Sequence, residues 1–146
     1  EKHGPGREVC ADGTVFDGAY AMGMRSGYGE MSWPEGSKYA GQFERGRANG
    51  HGELMRTDGS VYTGNFSEDA MSGHGRMTWQ DGVQYIGEFS QNKRDGVGKM
   101  SWTSGKWRSY EGQWKAGMQH GRGTLVDPSG AAFAGVFLNG KLQQRE

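Results

Sequence analysis

One signature recurs along this chain every 23 residues: aromatic-x-Gly-x-aromatic, then Gly-x-Gly beginning seven residues after the second aromatic. It is written Phe16-Asp17-Gly18-Ala19-Tyr20, Tyr39-Ala40-Gly41-Gln42-Phe43, Tyr62-Thr63-Gly64-Asn65-Phe66 and Tyr85-Ile86-Gly87-Glu88-Phe89. Two further copies are Tyr110-Glu111-Gly112-Gln113-Trp114 and Phe133-Ala134-Gly135-Val136-Phe137. The leading aromatics lie 23, 23, 23, 25 and 23 residues apart, so a single interval carries an insertion. A fixed period of this length means one supersecondary unit stacked on copies of itself. Such an array spreads its chemistry along a surface, which argues against an enzyme.

Within the second copy, Tyr39, Gly41 and Phe43 alternate with Ala40 and Gln42, the period of a short strand. Glu44 to Gly50, polar and punctuated by glycine, reads as a turn. Gly-x-Gly then opens a second alternating run, Gly52 to Arg56, and Asp58-Gly59 closes the unit. Asp-Gly between two such runs signals a hairpin, because the turn needs a positive φ that glycine adopts cheaply. The same turn recurs as Asp12-Gly13, Glu35-Gly36, Asp81-Gly82, Ser104-Gly105 and Ser129-Gly130. The expected fold is all-β: an elongated single-layer antiparallel meander of about twelve short strands, built from β-hairpin repeats. The expected units are a half repeat over 3–15, repeats over 16–38, 39–61, 62–84, 85–109 and 110–132, a terminal half repeat over 133–140 and a tail over 141–146. Together they make one array spanning 1–146.

Composition narrows the function. Glycine supplies 28 of 146 residues, and hydrophobic residues only 33%, too few for a conventional two-layer core. Aromatics reach 12%, so the apolar surface is concentrated in large flat side chains. Seventeen basic and seventeen acidic residues cancel, leaving no field to recruit nucleic acid. The lone Cys10 reads as a small hydrophobe on the first strand, and a chain with one cysteine reads as intracellular and cytoplasmic. The chain opens on Glu1 rather than Met, the expectation for a domain cut from something longer.

Tyr-x-Gly-x-aromatic, a short gap, Gly-x-Gly and Asp-Gly at this spacing resemble the MORN repeat (membrane occupation and recognition nexus) over residues 3 to 140. Arg56 and Asp127 depart from it where other copies carry Trp33, Trp79 and Trp102, and Lys106 to Ser109 lengthens one turn. The resemblance implies a grooved single-layer sheet without catalysis or cofactor of its own. It implies a scaffold that docks a partner's helix or peptide, with a place on the cytoskeleton or a membrane, and lipid binding has also been attributed to the family.

Four histidines invite a metal reading, but His51 and His74 sit one hairpin apart, about 9–10 Å, and His3 and His120 lie near opposite ends. Two ligands of one ion must come closer than that. The Gly-x-Gly pairs precede no helix and so cannot hold a pyrophosphate in the manner of a dinucleotide fingerprint. What remains is surface. The candidate partner groove comprises Met31, Trp33, Tyr39, Tyr62, Met77, Trp79, Tyr85, Met100, Trp102 and Tyr110, with the turn methionines Met24, Met71 and Met118 as secondary candidates. Its occupant is expected to be a protein or peptide, an amphipathic helix for instance, or a second copy of the array forming a homodimer. The alternative is a peripheral membrane module whose basic turns, carrying Arg25, Arg45, Arg47, Lys93, Arg94 and Lys115, contact phosphoinositide headgroups. Glu44, Glu68, Asp69 and Asp95 beside those turns weigh against it.

Overall fold

A computed structural model of the protein describes residues 3–146; Glu1 and Lys2, at the start of the expected array, lie outside the described residues. Thirteen strands form one antiparallel sheet whose order in space is their order in sequence. They are β1 (Gly4–Val9), β2 (Val15–Ala21), β3 (Met24–Ser32), β4 (Lys38–Glu44), β5 (Arg47–Met55), β6 (Val61–Ser67) and β7 (Ala70–Thr78). There follow β8 (Gln84–Ser90), β9 (Lys93–Ser101), β10 (Ser109–Lys115), β11 (Met118–Val126), β12 (Ala132–Leu138) and β13 (Lys141–Arg145). The last strand is one more than the hairpin count suggests. Residues 141–145, read as a tail, pair with β12 because Asn139-Gly140 supplies a tight turn at φ 49° and 84°.

Two kinds of turn alternate along the two edges. On one edge lie the Asp-Gly loops, closed by pairs of backbone bonds such as Arg56 N to Ser60 O at 2.9 Å and Gly59 N to Arg56 O at 3.0 Å. The Asp58 carboxylate accepts from Ser60 N at 2.8 Å and from Ser60 Oγ at 2.5 Å. These bonds, the hydroxyl's first, hold its carboxyl below the ordinary aspartate range. On the other edge the turns are tighter than the sequence suggests. Arg45-Gly46, at φ 52° and 82°, is a two-residue turn, and Arg47 to Gly50 belongs to β5. Gly-x-Gly therefore lies inside the nine-residue strands instead of opening them. Each tight turn is also tied to the repeat before it: Gly46 N donates to Arg25 O, Asp69 N to Ala48 O, Asn92 N to Met71 O and Gly117 N to Arg94 O, at 2.8–3.1 Å. Cys10 falls one residue beyond β1, where its N–H and C=O close the first loop.

The core is a single row of rings on one face. Tyr62 lies edge-on between Phe66 of its own repeat and Phe89 of the next, with centroids 5.1 and 5.0 Å away. The same step repeats from Phe16 to Phe137 through Phe43, Tyr39, Phe66, Tyr85, Trp114 and Tyr110. Edge-to-face pairing places the positive rim of one ring against the negative face of another, worth about 0.5–1.5 kcal/mol per contact beyond burial.

Glycine makes room for the rings. A Cβ on Gly75 would stand 2.4 Å from Tyr62 Cε1, and one on Gly64 2.5 Å from the Gly75 Cα. The strand pairs Gly41–Gly52, Gly64–Gly75, Gly87–Gly98 and Gly112–Gly123 repeat this bare patch. Immediately after each first glycine the register slips by a bulge. The tyrosine hydroxyl engages the bulged residue's carbonyl: Tyr39 Oη donates to Gln42 O and Tyr62 Oη to Asn65 O, both at 2.8 Å. Tyr85 and Tyr110 do the same to Glu88 O and Gln113 O. The bulged side chain turns back: Gln42 Oε1 accepts from His51 N at 2.8 Å, and Glu88 Oε1 from Val97 N at 2.7 Å.

Two outcomes follow from this packing. Gly75→Ala should lower stability in urea titration by about 2 kcal/mol or more, as overpacking against a ring does. Gly6→Ala, whose Cβ would stand 3.3 Å from the edge of Tyr20, should cost much less. Burial pushes the hydroxyls of Tyr39, Tyr62, Tyr85 and Tyr110 up to about 12. Their neutral forms are favoured in the folded state, so that contribution is intact below pH 10 and is lost as pH rises from 10 through 12. Stability measured across that range should fall, and Tyr→Phe changes at these positions should flatten the fall.

Candidate functional site

The ring row divides the aromatic face lengthwise. Along the Asp-Gly edge stand Trp33, Trp79 and Trp102, each half-buried and packed against the core, at the place where Arg56 and Asp127 stand in other repeats. Along the tight-turn edge run Arg25, Ala48, Met71 and Arg94, the second residues of their strands. Between the two edges the sheet is floored by Tyr39, Tyr62, Tyr85 and Tyr110 and by Met31, Met77 and Met100, none more than 8% exposed.

The ten sequence-chosen groove residues thus separate by role. The three tryptophans offer surface, while the four tyrosines and three methionines form the floor beneath. Met71, read as a turn methionine, is in β7 and 3% exposed, because the turn ends at Asp69. Met24 and Met118, also read as turn residues, open β3 and β11 and are exposed.

Two hollows open along the groove. The first, about 320 Å³, lies between Trp33 and Ala48 over Met31, Leu54 and Phe66, with Arg25 and Asp69 at its rim. The second, about 200 Å³, lies between Trp79 and Arg94 over Met71, Met77 and Phe89. Ala48 is small, which is why the first is roomier. A larger and shallower depression on the opposite face, about 540 Å³, runs past His51, Asn65, His74 and Ile86. His51 and His74 pair across strands with Asn65 and Glu88 rather than with each other. No group of three or more His, Cys, Asp or Glu side chains among the described residues is placed to hold a metal ion.

The six cations assigned to a headgroup site differ in burial: Arg25 and Arg94 are half-buried and the other four exposed. Arg25 pairs with Glu8 at 3.2 Å and lies over the Phe16 ring. Arg94 lies over Trp114, its guanidinium carbon 4.9 Å from the ring centroid, and its Nη2 donates to Gly117 O at 2.8 Å. Burial pulls the Arg94 guanidinium below its ordinary pKa. Arg45, Arg47, Lys93 and Lys115 are exposed near turns, and Arg47 stands 3.9 Å from Glu68.

Sequence reasoning missed the role of Arg94 as part of the groove wall and the presence of Trp107. Trp107 lies in the lengthened loop between β9 and β10 and packs edge-on to Phe133 at 5.5 Å, under Lys106. Its position inside the insertion broke the repeat alignment that would have marked it.

A family model described as the MORN repeat matches residues 1–15, 16–38, 39–61, 62–84, 85–107 and 110–132. No curated protein matches the chain. Among solved structures, the chain is similar to the SAS-4 (dCPAP) TCP domain of Drosophila melanogaster, solved in complex with a proline-rich motif of Ana2 (dSTIL). The identity is 10% and the TM-score 0.41, over 97% of this chain and 90% of that one.

The division into wall and floor is measurable. Met77→Ala should destabilise by about 2–4 kcal/mol, as loss of a buried methionine does. Trp79→Ser, removing a half-buried ring from the groove wall, should cost less and leave the circular dichroism of the sheet unchanged.

Proposed function

Because the chain belongs to the MORN-repeat family, with residues 1–107 and 110–132 falling into matched repeats, we propose that it is a non-catalytic protein-interaction scaffold. Its aromatic groove docks a partner's helix or peptide, or another copy of the array. One observation carries this reading: Trp33, Trp79 and Trp102 stand half-buried above a continuous floor of buried tyrosine and methionine, with no second layer over them among the described residues. Tryptophan and methionine are what adaptable interfaces enrich, because both give large contact area for few ordered bonds. A helix presents apolar side chains at spacings that suit such a row of hollows.

The membrane reading receives less support. Of its six cations, Arg25 is already paired with Glu8 and Arg94 is set into the groove wall instead of at a turn tip, and attraction to an anionic surface depends on clustered, accessible charge.

The test is light scattering after size-exclusion on the wild type and on the Trp33→Ser, Trp79→Ser, Trp102→Ser triple variant, with circular dichroism to verify the sheet. A dimeric wild type beside a folded monomeric variant makes a second copy the occupant. Two folded monomers leave the groove open to a different chain. Co-sedimentation with phosphatidylinositol 4,5-bisphosphate vesicles tests the competing reading. Binding that is abolished by charge reversal at Arg45, Arg47, Lys93 and Lys115 yet indifferent to the tryptophans would sink the scaffold proposal.

A further inference from the structure

The two hollows of the aromatic face are one hollow repeated, and their linings differ in charge. Two repeats along, Met31, Trp33 and Phe43 become Met77, Trp79 and Phe89. The same step turns Ala48 into Arg94, Arg25 into Met71 and Asp69 into Gly117. The first hollow is lined by one cation and one acid, Arg25 and Asp69, and Arg25 is itself paired with Glu8. The second is lined by Arg56, Lys93 and Arg94 and by no acid.

The array contains its own control for what Arg94 lacks. Arg25 occupies the same place in its strand three repeats earlier, and Glu8 answers it at 3.2 Å. In the setting of Arg94 the place of Glu8 is taken by Met77, which is 3% exposed. Asp95, the next residue, is engaged with Ala116 N at 3.2 Å. Arg94 is held instead against the Trp114 and Trp79 rings, at 4.9 and 5.9 Å, with the Gly117 carbonyl as its acceptor. A guanidinium partly withdrawn from water and without a carboxylate gains strongly from one that arrives with a ligand.

We infer that the occupant of the groove is an acidic amphipathic helix: a large apolar side chain enters the hollow over Ala48, and a carboxylate two repeats away pairs with Arg94. The inference rests on the docking reading above and names the chemistry of its partner. Four strand spacings separate the two contacts, about 19 Å, which is the rise of about 13 helical residues. Arg94 sits on indole rings within the groove wall rather than at a turn tip, which favours a side chain entering the groove over a flat headgroup surface.

The test is selection from a displayed library of randomised helical peptides against the whole chain, followed by affinity measurements on variants. Arg94→Met installs the residue that the preceding repeat carries there, Met71. Gly117→Asp restores the acid of the first hollow; Gly117 has φ 88° and Asp69 itself adopts 73°. The expected result is enrichment of Asp or Glu about 13 residues from a large apolar anchor. Binding of those peptides should weaken at least about tenfold in either variant, the worth of a charged hydrogen bond. Peptides that need Trp33 and Trp79 but show no acid preference, or that bind both variants as tightly as wild type, would overturn the inference and leave the docking groove standing. Failure to select any peptide sensitive to the tryptophans would remove both. Arg94-dependent binding of phosphatidylinositol 4,5-bisphosphate vesicles, without peptide selection, would assign the anion to lipid and likewise overturn it.

Discussion

A ring lying on a bare Cα is the contact on which this molecule depends. A sheet with one layer has no opposite layer to bury its apolar side chains, so they must be buried on the sheet itself. The glycine pairs remove every side chain from a strip of backbone, and tyrosine fills the strip, as Tyr62 does over Gly75. The bulge beside it follows from the same contact, since the phenol hydroxyl reaches the Asn65 carbonyl that the slipped register presents. Burial, register and hydrogen bonding are therefore set together in each repeat. Because every ring touches only its neighbours, stability is a sum of local terms and does not reside in one global core.

That locality explains the site. Residues that satisfy the ring strip must keep to the repeat, and these positions are nearly uniform. Residues bordering it, at the tryptophan edge and at the second position of the long strands, are free to differ. Ala48, Met71 and Arg94 share one address in the fold and yet make a hollow, a plug and a cation there. The array thus holds a constant floor and a variable rim, and recognition belongs to the rim.

The period exposed the fold plainly, because glycine and aromatic spacing are direct statements about the ring strip. Tyr39 and Gly41 could be read as a strand, and Asp58-Gly59 as its return, from chemistry alone. Ala48 to Gly50 look like loop residues, which makes the turn at Arg45-Gly46 read too long, whereas small Ala48 leaves the hollow above it and Gly50 makes room for the bulged Gln42. Residues 141–145 escaped as a strand because they lack the glycine pair that marks every other long strand. Within the site, tryptophan was legible by its size, but the role of Arg94 was not. Its meaning comes from Met77 standing where Glu8 stands for Arg25, a comparison that needs the strand neighbours in space.

The two edges of the sheet are not equivalent, and their difference bears on how such arrays change length. Backbone bonds stitch each tight turn to the repeat before it, so an added residue there would break the stitch as well as the turn. Contacts between successive Asp-Gly loops run through side chains, as from Thr103 Oγ1 to Asp81 O at 3.1 Å. Insertion is cheap on that side, and it is where this chain has accepted its extra residues, between Trp102 and Arg108. The array behaves as a spine with one bound margin and one open margin, and foreign sequence could be grafted onto the open margin without disturbing the ladder of rings.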